Sequence, residues 1–341
     1  MSRSTNMVIP EVVQFEGVRQ FMEKVDVFNA ASGGAITLDY SPAYLNAIGG
    51  DYRKPIRFAR PSGLDAHVDE ADPATADTPA TFAQAKGATV HQARRAYGKW
   101  TRDEVTRGAA TAAQWSEAVA AFVADYKLEA IRNNLLGAAV AAIDSMDMPS
   151  ANYHVIDATP GQASGAKAKF TFARLNTLLN KMGDARESIT TLVFHSAVLA
   201  DLIADGLSNY VVDSVAGAMV IKDAPMAMGR NIMVIDASQL YNELTSSYYT
   251  QYYVLGLGEG ALQATIVSED APIEKVETDK KVTYWTLRQD YDVEFAIQGM
   301  KWVTGNGTNP TDAELATAAN WDEDLSDHRE CRIVKGVYNA S

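Results

Sequence analysis

The chain has 341 residues, 47% of them apolar, and carries 30 basic against 43 acidic side chains, a net charge of −13. That much apolar material supports a core in one large or two ordinary domains and excludes wholesale disorder. The acidic balance excludes tight gripping of nucleic acid as the main task, because phosphate contacts need Lys and Arg, yet it suits a wall that surrounds nucleic acid without adhering to it. Cys331 is the single cysteine, so no intrachain disulfide is expected. The residues after Met1 lead into no apolar run of signal-peptide type, and no stretch has the apolar length of a membrane span.

Residues 1–50 read as an extended arm. Val8, Ile9, Val12, Val13 and Phe15 are short scattered apolar groups, and Ser32, Gly33 and Gly34 break any helix. Residues 51–100 are the least domain-like part. Between Arg60 and Lys86 the chain has acids at Asp65, Asp69, Glu70, Asp72 and Asp77 and prolines at Pro61, Pro73 and Pro79, with no base. The sign then reverses at Lys86, Arg94, Arg95, Lys99 and Arg102. Two readings stand: a solvated loop followed by a helix with a basic face, or a projecting loop whose acidic part meets a basic surface on another copy.

Thr101 and Glu104 have capping-box spacing and predict a short helix that Gly108 ends. A far longer helix follows from Thr111 to Met146, about 50 Å of rod, again opened by a capping pair, Thr111 and Gln114. Its first half is apolar at Trp115, Val119, Phe122 and Tyr126. Its second half is apolar at Leu128, Ile131, Leu135, Ala139, Ala142 and Met146, a stripe nearly opposite the first. Such a rod is either the central helix of an α/β enzyme or a spine that packs on its own domain and on neighbouring subunits.

Beyond Pro149 the pattern predicts a strand at Tyr153–Asp157, a loop at Pro160–Gly165, and a helix at Phe170–Met182 stopped by Gly183. A strand at Ile189–Phe194 precedes a helix over Ala197–Asp205, capped by Ser196 and stopped by Gly206. Ala218–Ile221 and Ile232–Ile235 read as strands around a Pro225–Arg230 turn. Tyr248–Leu255 is expected to pair with Ala261–Val267 across Gly256–Gly260. Lys281–Val303 is long, aromatic and nearly alternating, and its break at Arg288, Gln289 and Asp290 suggests a bend or a hairpin. Thr311 and Glu314 form a third capping box, opening a short helix up to Trp321. An acidic stretch, Asp322–Asp327, leads to a last strand at Cys331–Tyr338.

Chemistry-bearing constellations are absent from the pattern. His67, His91, His154, His195 and His328 lack metal-ligand spacing. Gly256, Gly258 and Gly260 lack the final spacing of a dinucleotide loop and read as a turn. Asp322, Glu323, Asp324 and Asp327 read as a solvated acidic loop. Ser196 beside His195 has no nucleophile elbow around it. Tyr248, Tyr249, Tyr252 and Tyr253 have no Lys or Arg nearby to make a base-stacking platform, so strand packing accounts for them. No catalytic, cofactor-binding or metal residue is singled out, and no cofactor is expected.

The order of segments carries more information: arm, charged projecting loop, long spine helix, compact α/β insertion, long β-segment, short terminal segment. That order resembles the major capsid protein of tailed bacteriophages, with its Hong-Kong-97-type fold. Gln92–Ile143 looks like the basic, aromatic approach to the spine of such coat proteins. Leu192–Leu207 resembles the strand-to-helix start of their axial domain, and Asn309–Trp321 resembles a C-terminal signature of one coat-protein subfamily. The resemblance implies an α+β subunit with an N-terminal arm at 1–50 and an E-loop and approach helix at 51–100. A P-domain follows at 101–185 with the spine at 111–146, then an A-domain at 186–265, and P-domain strands with the C-terminal segment at 266–341.

It implies no enzymatic activity. The partners it implies are other copies, in pentamers and hexamers, together with scaffolding, portal and decoration proteins. The shell would enclose DNA without sequence-specific binding and without a membrane, assembling in the host cytoplasm into the virion capsid. Charge order then makes Arg94, Arg95 and Lys99 the candidate basic partners of Asp69, Glu70 or Asp72 of a neighbour. An encapsulin-like compartment shell shares the fold and stays open as an alternative, as does, less favoured, an α/β enzyme.

Overall fold

A computed structural model describes residues 9–41, 57–58, 84–85, 90–101, 112–147, 155–157, 169–205, 212–215, 218–224, 228–244, 249–278, 283–303, 309–325 and 328–339. Two sheets share one long helix. Helix α1 spans Pro10–Ala31, with proline in its first turn, where the missing N–H costs nothing. This corrects the expected extended arm over its described part. Val13, Phe21, Val25 and Phe28 recur at intervals of three, four or eight and are buried, a narrow stripe with charged residues and exposed apolar ones interspersed. The residues expected to break a helix stand just beyond its end, where Gly33 and Gly34 take positive φ.

The spine, α2, spans Ala112–Asp147 and lies where the sequence placed it. Thr111, half of its expected cap, lies outside the described residues, as do Glu104 and Gly108. Of the second stripe, Leu128, Ile131, Leu135, Ala139 and Ala142 are at most 4% exposed, and Met146 is partly buried at the edge of the core. Of the first stripe, Val119 is buried and Trp115 packs at the edge of the core, whereas Phe122 and Tyr126 remain 55% and 47% exposed. Helix α1 runs alongside the spine in the same sense: Ile9 N–H donates to Ser116 Oγ at 2.9 Å, and Lys24 pairs with Asp125.

The first sheet takes β1 (Ile36–Tyr40), β4 (Val90–Thr101), β12 (Leu262–Glu269), β13 (Ile273–Thr278) and β14 (Thr283–Ile297). β14 is its axis. One edge of β14 pairs antiparallel with β4 over nearly its whole length; the other pairs with β12 at 291–297 and with β13 at 283–288. β1 lies parallel to β12. The basic stretch expected as an approach helix is therefore the strand β4. In a strand its charges alternate between faces, and every residue from Val90 to Thr101 has a partner on β14, which settles the choice against a helix. The expected bend or hairpin at Arg288–Asp290 does not occur. The strand runs through, and the turn falls at Gln298–Gly299, where Gly299 has φ +77°. Arg288–Asp290 marks instead where β14 changes partner.

A second sheet runs in the order β5 (Val155–Asp157), β17 (Ile333–Asn339), β11 (Tyr249–Gly258), β6 (Ile189–Phe194), β9 (Arg230–Val234), β8 (Ala218–Ala224) and β7 (Val212–Val215). β10 (Tyr241–Leu244) folds back on β11. One face of this sheet, with Leu192, Phe194, Ile232 and Tyr338, packs under α3 (Phe172–Leu179) and α4 (Ser196–Ala204). The other face, with Val193, Met233, Leu255 and Leu257, joins the core around the spine. The expected pairing of Tyr248–Leu255 with Ala261–Val267 is not made: β11 and β12 belong to different sheets. The turn between them hands the chain across, tied to the end of α1 by Gly260 N–H to Gly34 O and Leu262 N–H to Ala35 O. Segment 186–265 thus shares its sheet with β5 and β17 from outside it.

Smaller elements refine the picture. Helix α3 is capped by Thr171 and ends at Leu179, and Gly183, expected to stop it, lies inside the following 3-10 segment with φ +57°. His195, not Ser196, caps α4, its ring accepting the Ala197 N–H at 3.2 Å. The capping box of Thr311 and Glu314 is present at α5 (Asp312–Leu315). β2 (Arg57–Phe58) pairs antiparallel with β3 (Gln84–Ala85), which brings together the two ends of the 59–83 segment.

Candidate assembly surface

The candidate basic residues all sit on β4, and strand alternation divides them. Arg95 and Lys99 point to one face of the first sheet and are exposed; Arg94 points to the other. On the exposed face, Arg95 Nε donates to Asp290 Oδ1 at 2.7 Å, and Arg288 of the same strand grips both carboxylate oxygens. The Arg288 and Arg95 guanidinium groups hold the Asp290 carboxyl well below the usual carboxylate range. Asp292 and Glu294 lie further along the same face of β14, so acids and bases are interspersed there. Lys99 Nζ lies 4.1 Å from the Tyr284 ring centroid, a cation–π contact, and His91 Nε2 lies 3.6 Å from Asp292 Oδ2. Asp69, Glu70 and Asp72, the expected acidic counterparts, lie outside the described residues.

On the opposite face Arg94 meets the segment 309–312. Its Nη2 donates to Asp312 Oδ1 at 2.7 Å and to the Pro310 carbonyl at 2.8 Å, and its Nη1 donates to the Ala93 carbonyl at 2.9 Å. Gln92 Nε2 and Asn134 Nδ2 of the spine donate to the same Asp312 oxygen, at 2.9 and 3.0 Å. Sequence reasoning found Arg94 but not these partners, because they lie far along the chain.

The chemistry-bearing candidates have structural work. Added Cβ atoms at Gly256 and Gly258 would meet Val334 Cγ2 and the Ser188 carbonyl, both at 2.6 Å, so both glycines of β11 serve close packing. That corrects the expected turn at these two positions. His195 Nδ1 is engaged by the α4 cap, and its ring packs 5.1 Å from Tyr252 and 5.5 Å from Tyr241. Tyr253 lies over Lys335 at 4.5 Å. Asp322 pairs with Lys301 at 3.0 Å, and Cys331 is buried. Among the described residues no group of three His, Cys, Asp or Glu converges as a metal site, and no helix is long and apolar enough to cross a membrane.

A long spine shared by two sheets, with the twelve-residue strand β4 at its side, is the Hong-Kong-97-type architecture of phage capsids. The capsid asymmetric unit of cyanophage Pam1 is similar in fold, with a TM-score of 0.50 over 92% of this chain and 93% of that one at 12% identity. The capsid of Ralstonia phage GP4 is similar too, with a TM-score of 0.50 over 91% and 88% at 8% identity.

The chain belongs to the major capsid protein 13-like family, whose model matches residues 7–331. It is also 28% identical to the major capsid protein of Bacillus phage SPP1 over 178 residues, a match that spans about half (51%) of each chain.

Proposed function

We propose that this chain is the structural subunit of a tailed-phage head, assembling with copies of itself into a closed icosahedral or prolate shell around double-stranded DNA. The family match over nearly the whole chain carries this reading. In it the first sheet and spine form the peripheral domain. The second sheet with α3 and α4 forms the axial domain, at whose tips pentamers and hexamers close, and β5 and β17 belong to it. The E-loop is the segment of roughly 51–90, within which β2 pairs with β3. Scaffolding, portal and decoration proteins are the further partners, and assembly takes place in the host cytoplasm. The shell function asks for no cofactor and no catalysis.

The acids Asp69, Glu70 and Asp72 of one copy meet Arg95 and Lys99 on the exposed sheet face of the next. Both of these side chains are exposed, and Arg288 adds to the same face. Arg94, the third candidate, points to the opposite face of the sheet, where it is bonded to Asp312 and Pro310. Charge complementarity of this kind selects register more than it adds affinity. Reversing Arg95 and Lys99 to Glu together should leave a folded subunit with an unchanged circular dichroism spectrum and cut the shell fraction in sedimentation at least about tenfold. Shells in wild-type yield from that variant overturn the contact.

A further inference from the structure

The junction at Asp312 holds together three elements that are distant in the chain. From β4 come Arg94 and Gln92, from the spine Asn134, and from the terminal signature Asn309, Pro310 and Asp312 itself. Arg94 Nε also donates to Asp312 Oδ1 at 3.2 Å, and its Nη1 lies 3.4 Å from Asn309 Oδ1, so all three guanidinium nitrogens donate inside the chain. Gln92 adds a bond to the Pro310 carbonyl at 3.2 Å and accepts from Asn134 Nδ2 at 3.1 Å. The free edge of β4 is closed at this point as well, because the Ala93 N–H donates to Asn309 Oδ1 at 3.0 Å.

The segment carrying the acid is itself rigidly seated. Thr311 and Glu314 bond reciprocally around Asp312 in the capping box. Leu315 is fully buried, and its carbonyl accepts the Trp321 indole N–H at 2.9 Å. Trp321 stacks edge-on against Trp302 at 5.2 Å. On the spine side, a Cβ at Gly137 would stand 3.7 Å from Ala316 Cβ, an ordinary packing distance, so this segment lies directly against the spine. Asp312 is therefore a fixed anchor, and β4 is what it positions.

We propose that the Arg94–Asp312 junction holds the free edge of β4 in place against the spine and the terminal segment, and that shell assembly depends on β4 being held there. Arg94 is a positioning residue within its own chain and not a contact to a neighbouring copy. This inference rests on the shell reading for its consequence, the fall in shell yield when β4 is released. Its physical core, the tie between β4, the spine and the terminal segment, stands without that reading.

The test compares wild type, Arg94→Ala, Asp312→Ala and the double variant. Two quantities are measured: amide hydrogen exchange across residues 92–96 in the unassembled subunit, and the shell fraction after assembly. An edge strand that loses an anchor opens locally before the whole protein does. Each single variant should raise exchange across 92–96 about tenfold, the double variant should go no further than the worse single, and shell yield should fall alike in all three. Unchanged exchange in Asp312→Ala overturns the proposal, whatever the shells do. Additive effects of the two substitutions overturn it too. Loss of shells in Arg94→Ala alone would assign Arg94 to an acid on a neighbour. If an alanine variant fails to fold, Asp312→Asn, which keeps the volume and drops the charge, is read by the same criteria. A wild type that forms no shells refutes the shell reading and leaves the exchange comparison to decide the junction.

Discussion

Asp290 receives two guanidinium groups on the exposed sheet face, from Arg288 of its own strand and Arg95 of the neighbouring strand. Its folded pKa lies below its unfolded value, so it adds stability above the ordinary carboxylate range, and that stability fades as pH falls through the folded value. Asp290→Asn should therefore unfold at lower urea than wild type above about pH 4, with the two converging toward pH 2. Urea midpoints measured across that range check it; a constant gap down to the lowest pH contradicts it. Cues at this scale were partly legible. The capping box at Thr311 has a fixed local spacing and appears as read. His195 displaced Ser196 as the cap of α4, because which of two adjacent polar residues leaves the strand last is decided by where β6 ends. Arg94 and Arg95 looked equivalent in the sequence, and strand alternation sends them to opposite faces. No single-residue cue marked Asp312 as the acid that would claim one of them.

Among the elements, the spine carries the strongest constraint, because its length and apolar periodicity specify one long helix. What it packs against was not legible, since that depends on strands more than a hundred residues away. Lys127, near mid-spine, is buried and paired with Glu269 of β12, whose carboxylate also accepts from Gln289 of β14. Burial pushes the Lys127 ammonium down while Glu269 draws it back. The pair sits where β14 changes partner from β12 to β13, so it fastens the spine to the middle of the first sheet. Lys335 of β17 pairs with Asp144 nearer the end of the spine and fastens the second sheet. Lys127→Met should cost about 3–5 kcal/mol by leaving Glu269 buried without a counter-charge, and adding Glu269→Leu should recover much of the loss. Urea unfolding of the single and double variants checks both; a Lys127→Met variant of wild-type stability contradicts the account. Helix α1 escaped recognition because its buried stripe is narrow and further apolar residues, Phe15, Met22 and Val27, lie on its exposed surface and blur the periodicity. β4 was read as a helix because its charges were counted before its long-range partner on β14 was known.

At the scale of the whole molecule, the two-sided spine has one side enclosed by the subunit's own sheets and helices. On the other flank Phe122 and Tyr126 stay open, and Phe15 and Met22 of α1 are 70% and 45% exposed. Apolar surface left exposed on one helix pair is what a subunit built for close company presents. The order of segments, not any motif, made the class legible, and the family match confirms that reading. Domain boundaries drawn by position along the chain missed β5 and β17, because sheet membership follows pairing and not sequence order. Many modest contacts repeated by symmetry hold a closed shell, so single interfaces need little affinity. Negative-stain electron microscopy of the purified protein, beside its sedimentation profile and with neighbouring structural genes co-expressed, tests this most directly. The account predicts closed round or angular particles of megadalton mass. A small uniform oligomer that stays small under co-expression would contradict it.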